Sequence, residues 1–256
     1  MKKALLSLIF TTLSFQALGL EAAKSSREFC GIQKDTNAIQ DLAKDSANHL
    51  SFRNGGGLIN GGVCWWHSRF TRNALHLAIY RPDLARPTVA QMKSIIKDIR
   101  GGKTVVTIPG FSNLSEFSRS ARDLIQDELN AWQKFDGFVR QQWIVGLSGS
   151  TTTTAKDLSK KMDDLYEYVA LNNNIAYQKL QMPGVVSHAW LVVDVDKTPG
   201  GYDLHIHDSN FYGVVNFQYN QGMTNFTYVD RSPFVPYTEQ ERELRNVKSV
   251  ASRFCR

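Results

Sequence analysis

Thiols are scarce in this chain: three cysteines among 256 residues, Cys30, Cys64 and Cys255. An odd number leaves at least one sulfur unpaired or bonded to another molecule if the compartment is oxidising. Other shortages exclude whole classes. No basic stripe interleaved with aromatics is present, so a nucleic-acid partner is not indicated. No run beyond the first twenty or so residues is apolar and long enough for an integral membrane span. There is no internal repeat, no segment that reads as a carbohydrate- or peptidoglycan-binding repeat, and no pattern that calls for a cofactor.

What is present begins with MKKALLSLIFTTLSFQALGLEA, in which Lys2 and Lys3 precede an apolar stretch and then small residues. That is the order of a cleavable signal peptide over residues 1–22, and it places the remainder, 23–256, in a periplasmic or secreted setting. No cysteine stands at the expected cleavage point to take a lipid. Two of the basic residues behind the formal charge of +6 are the leader lysines, Lys2 and Lys3. Cys30 lies near the new N-terminus and Cys255 is the penultimate residue. Because chain ends commonly lie close together on a domain surface, a Cys30 to Cys255 disulfide is expected, which leaves Cys64 free.

Apolar periodicity divides the chain. DTNAIQDLAKDSANHL, VCWWHSRFTRNALHLAIY, RPTVAQMKSIIKDIRGGK and SNLSEFSRSARDLIQDELNAWQKFDGFV all read as helices, with Thr88 as a cap and Gly101-Gly102 as a stop. A loop holding five glycines in eight positions, 55–62, precedes the second of them. After Pro183 the pattern turns to alternating strands, and TEQERELRNVKSVASRF returns to helix. The expected class is α+β: a helical part over 23–182, a sheet part over 183–237 and a C-terminal helix over 238–256.

Cys64 would open the helix that follows the glycine loop. There the unpaired backbone N–H groups and the positive end of the helix dipole favour a thiolate, and the N–H of Cys64 itself faces a developing oxyanion. In VSHAWLVVDVDKTPGGYDLHIHDSN, His188 opens one strand and Asp208 closes the next. If the two strands pair as a hairpin, His188 and Asp208 are neighbours at one sheet edge, and a base with an orienting carboxylate is the company a nucleophilic thiol needs.

Cys-Trp at a helix start behind a glycine-rich loop, then HAWLVVDV, then an Asp ending the next strand, resembles the papain-like cysteine peptidase superfamily. GGKTVVTIPG resembles a strand of bacterial peptidases that process leader peptides. The resemblance covers about a third of the chain and implies a papain-like α+β fold, with the nucleophile's helix packed on an antiparallel sheet. It implies Cys64 as nucleophile, His188 as general base and acid, and Asp208 as orienter, with Asn210 as the alternative orienter. A peptide, protein or peptidoglycan-peptide substrate would follow, cleaved at an amide through an acyl-enzyme. The family's oxyanion glutamine is missing, since Leu58 stands at that spacing; Asn60 is the substitute candidate, with Asn54 nearby. The same triad would serve acyl transfer of the transglutaminase type, and the fold without turnover would serve as an envelope binding protein.

Two histidine patterns compete. Cys64 and His67 form a C-x-x-H pair, and His205 with His207 form H-x-H on one strand face, a spacing that zinc sites use. Strand parity turns both away from Asp208, and they are expected to be exposed strand histidines, with no metal bound. His67 has no carboxylate near it in sequence and is expected to pack or to contact substrate rather than to act as the base. Trp65, Trp66 and Trp190 are expected to build the core behind the site.

Overall fold

The computed structural model describes residues 20–57, 62–138, 151–183, 187–229, 232–238 and 241–256. The leader up to residue 19, Leu58 and Asn60 fall outside them. Among the described residues no helix is long and apolar enough to cross a membrane.

The organising element is helix α3, Cys64–Leu77, because every one of its fourteen residues is buried, polar ones included. A helix that is wet on no side needs partners all round. Helices α1 (Ser26–Ile32) and α2 (Ala38–Lys44) precede it. After it come strand β1 (Ala78–Arg81), α4 (Val89–Gly101), β2 (Val106–Pro109), α5 (Leu114–Ser120) and α6 (Arg122–Phe138). Helix α7 (Ala155–Tyr166) runs into a π-turn at Glu167–Leu171 and leads to the sheet. The strands are β3 (Ala176–Gln181), β4 (Ser187–Thr198), β5 (Gly201–Asp208), β6 (Val214–Asn220), β7 (Phe226–Thr227) and β8 (Pro233–Thr238). Helix α8, Glu241–Phe254, closes the chain.

The fold is mixed helix and sheet. Six strands lie in the order β6-β5-β4-β3-β8-β7, every neighbouring pair antiparallel. One face, through Tyr177, Ala189, Leu191 and Val193, packs on α3 and its surrounding helices. The other, through Trp190, Val192, Leu204 and Ile206, is covered by Leu158, Met162 and Leu165 of α7 and by Phe226 and Phe234. Each large apolar side chain so enclosed contributes about 1.5–3 kcal/mol relative to exposure.

Several boundaries differ from the sequence expectation. The helix opened by Cys64 stops at Leu77, and Ala78–Arg81 extends instead, because these residues pair in parallel with Val106–Pro109. The sheet begins at Ala176, ahead of Pro183, and includes PFVPYT, whose prolines mask its strand character. Helix α1 was not foreseen. The α2 cap is Asn37, without a side-chain bond. The Thr88 reading holds: Thr88 and Gln91 form a reciprocal capping box, and Gly102 ends α4 in the left-handed conformation at φ 62°.

Polar groups on α3 are matched by distant charges. Arg69 pairs with Asp136 of α6 at 2.8 Å and also with Glu243 of α8, which Arg72 reaches at 2.6 Å. Burial opposes ionisation of Glu243, but the two guanidiniums outweigh it and hold its carboxyl near 2. Cys30 and Cys255 form the expected disulfide, 225 residues apart in sequence, joining α1 to the end of α8. Closing a loop of that length is worth roughly 5 kcal/mol in the chain-entropy model.

Candidate active site

Cys64, the free cysteine, begins α3 behind Val63, which lacks a side-chain cap; the first N–H groups of the helix thus have no intrahelical acceptor. The approach loop is held from α6. Gln126 Nε2 donates to the Gly55 carbonyl at 3.0 Å, Asn130 Oδ1 accepts from the Gly57 N–H at 2.9 Å, and Gln133 Nε2 donates to the Gly62 carbonyl at 2.9 Å. Gly62 sits at φ 82°, with the Asn54 amide 2.4 Å from where a β-carbon would be, so no larger residue fits without displacing Asn54.

The sheet brings the partners. Cys64 Sγ lies 3.9 Å from the carbonyl oxygen of Ser187, the residue before His188, and Cys64 acts on the His188 imidazole as charge and as hydrogen-bond partner. His188 Nε2 donates to Asp208 Oδ1 at 2.7 Å, which leaves Nδ1 as the ring nitrogen available to the thiol. Both side chains are buried, Asp208 completely. Burial disfavours the imidazolium, yet the Cys64 charge and the hydrogen bonds of Asp208 and Cys64 outweigh it and push His188 up to about 10. Asp208 loses solvation too, but the His188 bond and charge, helped by Tyr228 and the Asn210 N–H, hold it below the usual carboxylate range.

The meeting of His188 and Asp208 depends on an irregularity. At the turn, Thr198 faces Gly201, and that register continued along a regular hairpin would set Asp208 opposite Leu191, on the α3 face of the sheet. A β-bulge between Val192 and Asp194 shifts the pairing by one, so Asp208 faces Trp190 and shares a side with His188. Such bulges re-aim side chains in this way.

The other expected site residues fall as follows. Asn210 meets the site through Asp208 and Tyr228: its backbone N–H donates to Asp208 Oδ1 at 2.8 Å and its side-chain amide donates to the Tyr228 hydroxyl at 3.0 Å. Asn60 lies outside the described residues. Asn54 accepts from the Val63 N–H at 2.6 Å and donates to Asn210 Oδ1 at 3.1 Å, so its amide is already engaged. His67 gives Nε2 to the Phe52 carbonyl at 3.0 Å and is held neutral, near 4, chiefly by burial. His205 is partly exposed and bonds Asp196 at 2.8 Å. His207 departs from expectation: it is 2 % exposed, because its end of β5 lies under the helices, and its ring stacks on His49 with centroids 3.7 Å apart. Among the described residues no group of three or more His, Cys, Asp or Glu is arranged to hold a metal ion. Trp65, Trp66 and Trp190 are all buried.

One residue went unnoticed in the sequence. The Tyr228 hydroxyl, just past β7, lies 2.6 Å from Asp208 Oδ2 and 3.3 Å from His188 Nε2. No local pattern marks it, since only pairing of β7 through β8 and β3 brings it there. An open cleft of about 460 Å³ lies beside the loop, lined among others by Arg53, Asn54, Gly55, Arg122 and Gln126. Arg53 stands over the Tyr212 ring and Arg122 over Phe52.

The chain matches no protein-family model, no curated protein and no solved structure. Its function is therefore to be read from the site.

Proposed function

We propose that the chain is a papain-like thiol hydrolase of the periplasm or extracellular space, cleaving an amide bond in a peptide, protein or peptidoglycan-peptide substrate. The observation that carries this reading is the convergence of a helix-start thiol, Cys64, with the His188 ring and the Asp208 carboxylate 2.7 Å behind it. The Cys30–Cys255 disulfide supports an oxidising compartment.

In this reading the Cys64 sulfur attacks the substrate carbonyl carbon and a C–S bond forms. The oxyanion is met by the open N–H of Cys64 at the start of α3. As the C–N bond breaks, imidazolium His188 passes its proton to the leaving amine, while Asp208 keeps the ring in line. Neutral His188 then takes a proton from water, whose oxygen attacks the thioester carbon; the C–S bond breaks and the thiolate returns. The cleft beside Asn54 and Arg122 would receive the chain flanking the scissile bond.

The test is the rate at which iodoacetamide alkylates Cys64 near neutral pH. Fast labelling that His188→Ala abolishes is expected, and a wild-type rate no greater than that of free cysteine would sink the reading. Incubating the labelled-competent enzyme with a peptide library and an added amine then separates hydrolysis from acyl transfer by product mass.

A further inference from the structure

Asp208 sits at the meeting point of two chains of hydrogen bonds. From one side comes His188 Nε2 at 2.7 Å, with Cys64 beyond it. From the other, the Val63 N–H donates to Asn54 Oδ1, Asn54 Nδ2 to Asn210 Oδ1, Asn210 Nδ2 to the Tyr228 oxygen and the Tyr228 O–H to Asp208 Oδ2, at 2.6, 3.1, 3.0 and 2.6 Å. Val63 is the residue next to Cys64, so the chains close into a ring that starts and ends at the nucleophile. Every donor along the second arm points the same way, toward the carboxylate, an arrangement in which each bond polarises the next.

Resting on the hydrolase reading, we propose that Tyr228 is the positioning residue of this site, a fourth member that acts through Asp208. A carboxylate has two oxygens, and His188 and the Asn210 N–H both hold Oδ1, which leaves Oδ2 to be satisfied by another donor. The Tyr228 hydroxyl takes the second oxygen and fixes the plane of the carboxylate against the imidazole. It also supplies a charge-assisted bond that keeps Asp208 ionised where no water reaches it, since that carboxylate is fully buried. The ring itself is anchored by an aromatic cluster: Tyr228 lies 6.3 Å from Phe217 in a stacked arrangement and 6.2 Å from Phe234 edge-on, centroid to centroid. Tyr228→Phe therefore removes the bond with little change in packing. The amides of Asn54 and of Asn210, the alternative orienter expected from the sequence, tie the glycine loop to the same carboxylate.

The experiment is a titration of the Asp208 carboxyl carbon by carbon-13 NMR together with Cys64 alkylation by iodoacetamide, in wild type and Tyr228→Phe. The variant is expected to raise the carboxyl midpoint by about one pH unit and to slow alkylation about tenfold, with its melting temperature nearly unchanged. Incorporation of 3-fluorotyrosine at 228, a stronger donor of almost the same size, is expected to lower the midpoint and preserve alkylation, and it decides the matter if Tyr228→Phe fails to fold. A midpoint that stays put, or alkylation as fast as in the wild type, overturns the role. Wild-type alkylation no faster than that of free cysteine removes the hydrolase reading and this role with it; the two failures are told apart because the carboxyl titration does not depend on the thiol.

Discussion

His207 and Asp208 are consecutive residues on one strand, and they look into opposite worlds. Asp208 faces His188, an imidazole hydrogen-bonded to that carboxylate and acted on by the Cys64 thiol, whose protonated form is favoured in spite of burial. His207 faces His49 and His67, buried imidazoles 3.7 and 6.4 Å away. Burial lowers the pKa of each, and the neighbouring imidazoles add to the lowering for His67 and His207, while Asp45 near His49 and Asp208 near His67 only soften it. The strand thus separates a charged imidazole from a neutral cluster by one peptide unit. Burial alone does not decide the state of a histidine; a partner of opposite charge does.

The comparison predicts, first, that His188→Ala slows Cys64 alkylation about a thousandfold, whereas His207→Leu changes it less than about threefold. Equal losses in the two variants would erase the distinction. Second, the neutral cluster makes the fold acid-sensitive. His67 ionises near 6.5 when unfolded and near 4 when folded, so its contribution is complete above 6.5 and is lost as pH falls from there to 4. At about 1.4 kcal/mol per unit, His67 alone should remove roughly 3 kcal/mol over that window. Urea denaturation along a pH series checks this, and His207→Leu should flatten the decline. Third, His188 carries the opposite sign: its contribution is present below 6.5 and is lost as pH rises through about 10. An alkaline loss of stability that persists in His188→Gln would contradict it. Smallest of all, the exposed pair of His205 and Asp196 has the same bond length class, 2.8 Å, without the burial, and Asp196→Asn should shift stability by no more than about 0.5 kcal/mol.

Much of this site could be read before any coordinates. Cys64 at a helix start, Thr88 as a cap and the terminal disulfide follow from local chemistry: glycines before a periodic run, a hydroxyl just ahead of another such run, thiols at both ends. The hairpin carrying His188 and Asp208 was legible as well, but the reason they meet was not. A bulge at Val193 inside VVDVD has no sequence signature, and a regular hairpin would have turned Asp208 to the wrong face. Tyr228 and the burial of His207 were hidden for the same cause, since both depend on which elements lie across the sheet. The PFVPYT strand was obscured by its prolines, and β1 by an apolar run that fits a helix equally well until β2 is there to pair with it.

Cys30 and Cys255 convert almost the whole polypeptide into a covalent circle. A protease that cuts once anywhere between them opens the circle but sets no fragment loose, so a nicked molecule keeps its mass on a non-reducing gel and falls into two pieces only when thiol is added. One scission then leaves every element attached to the others and able to find its place again.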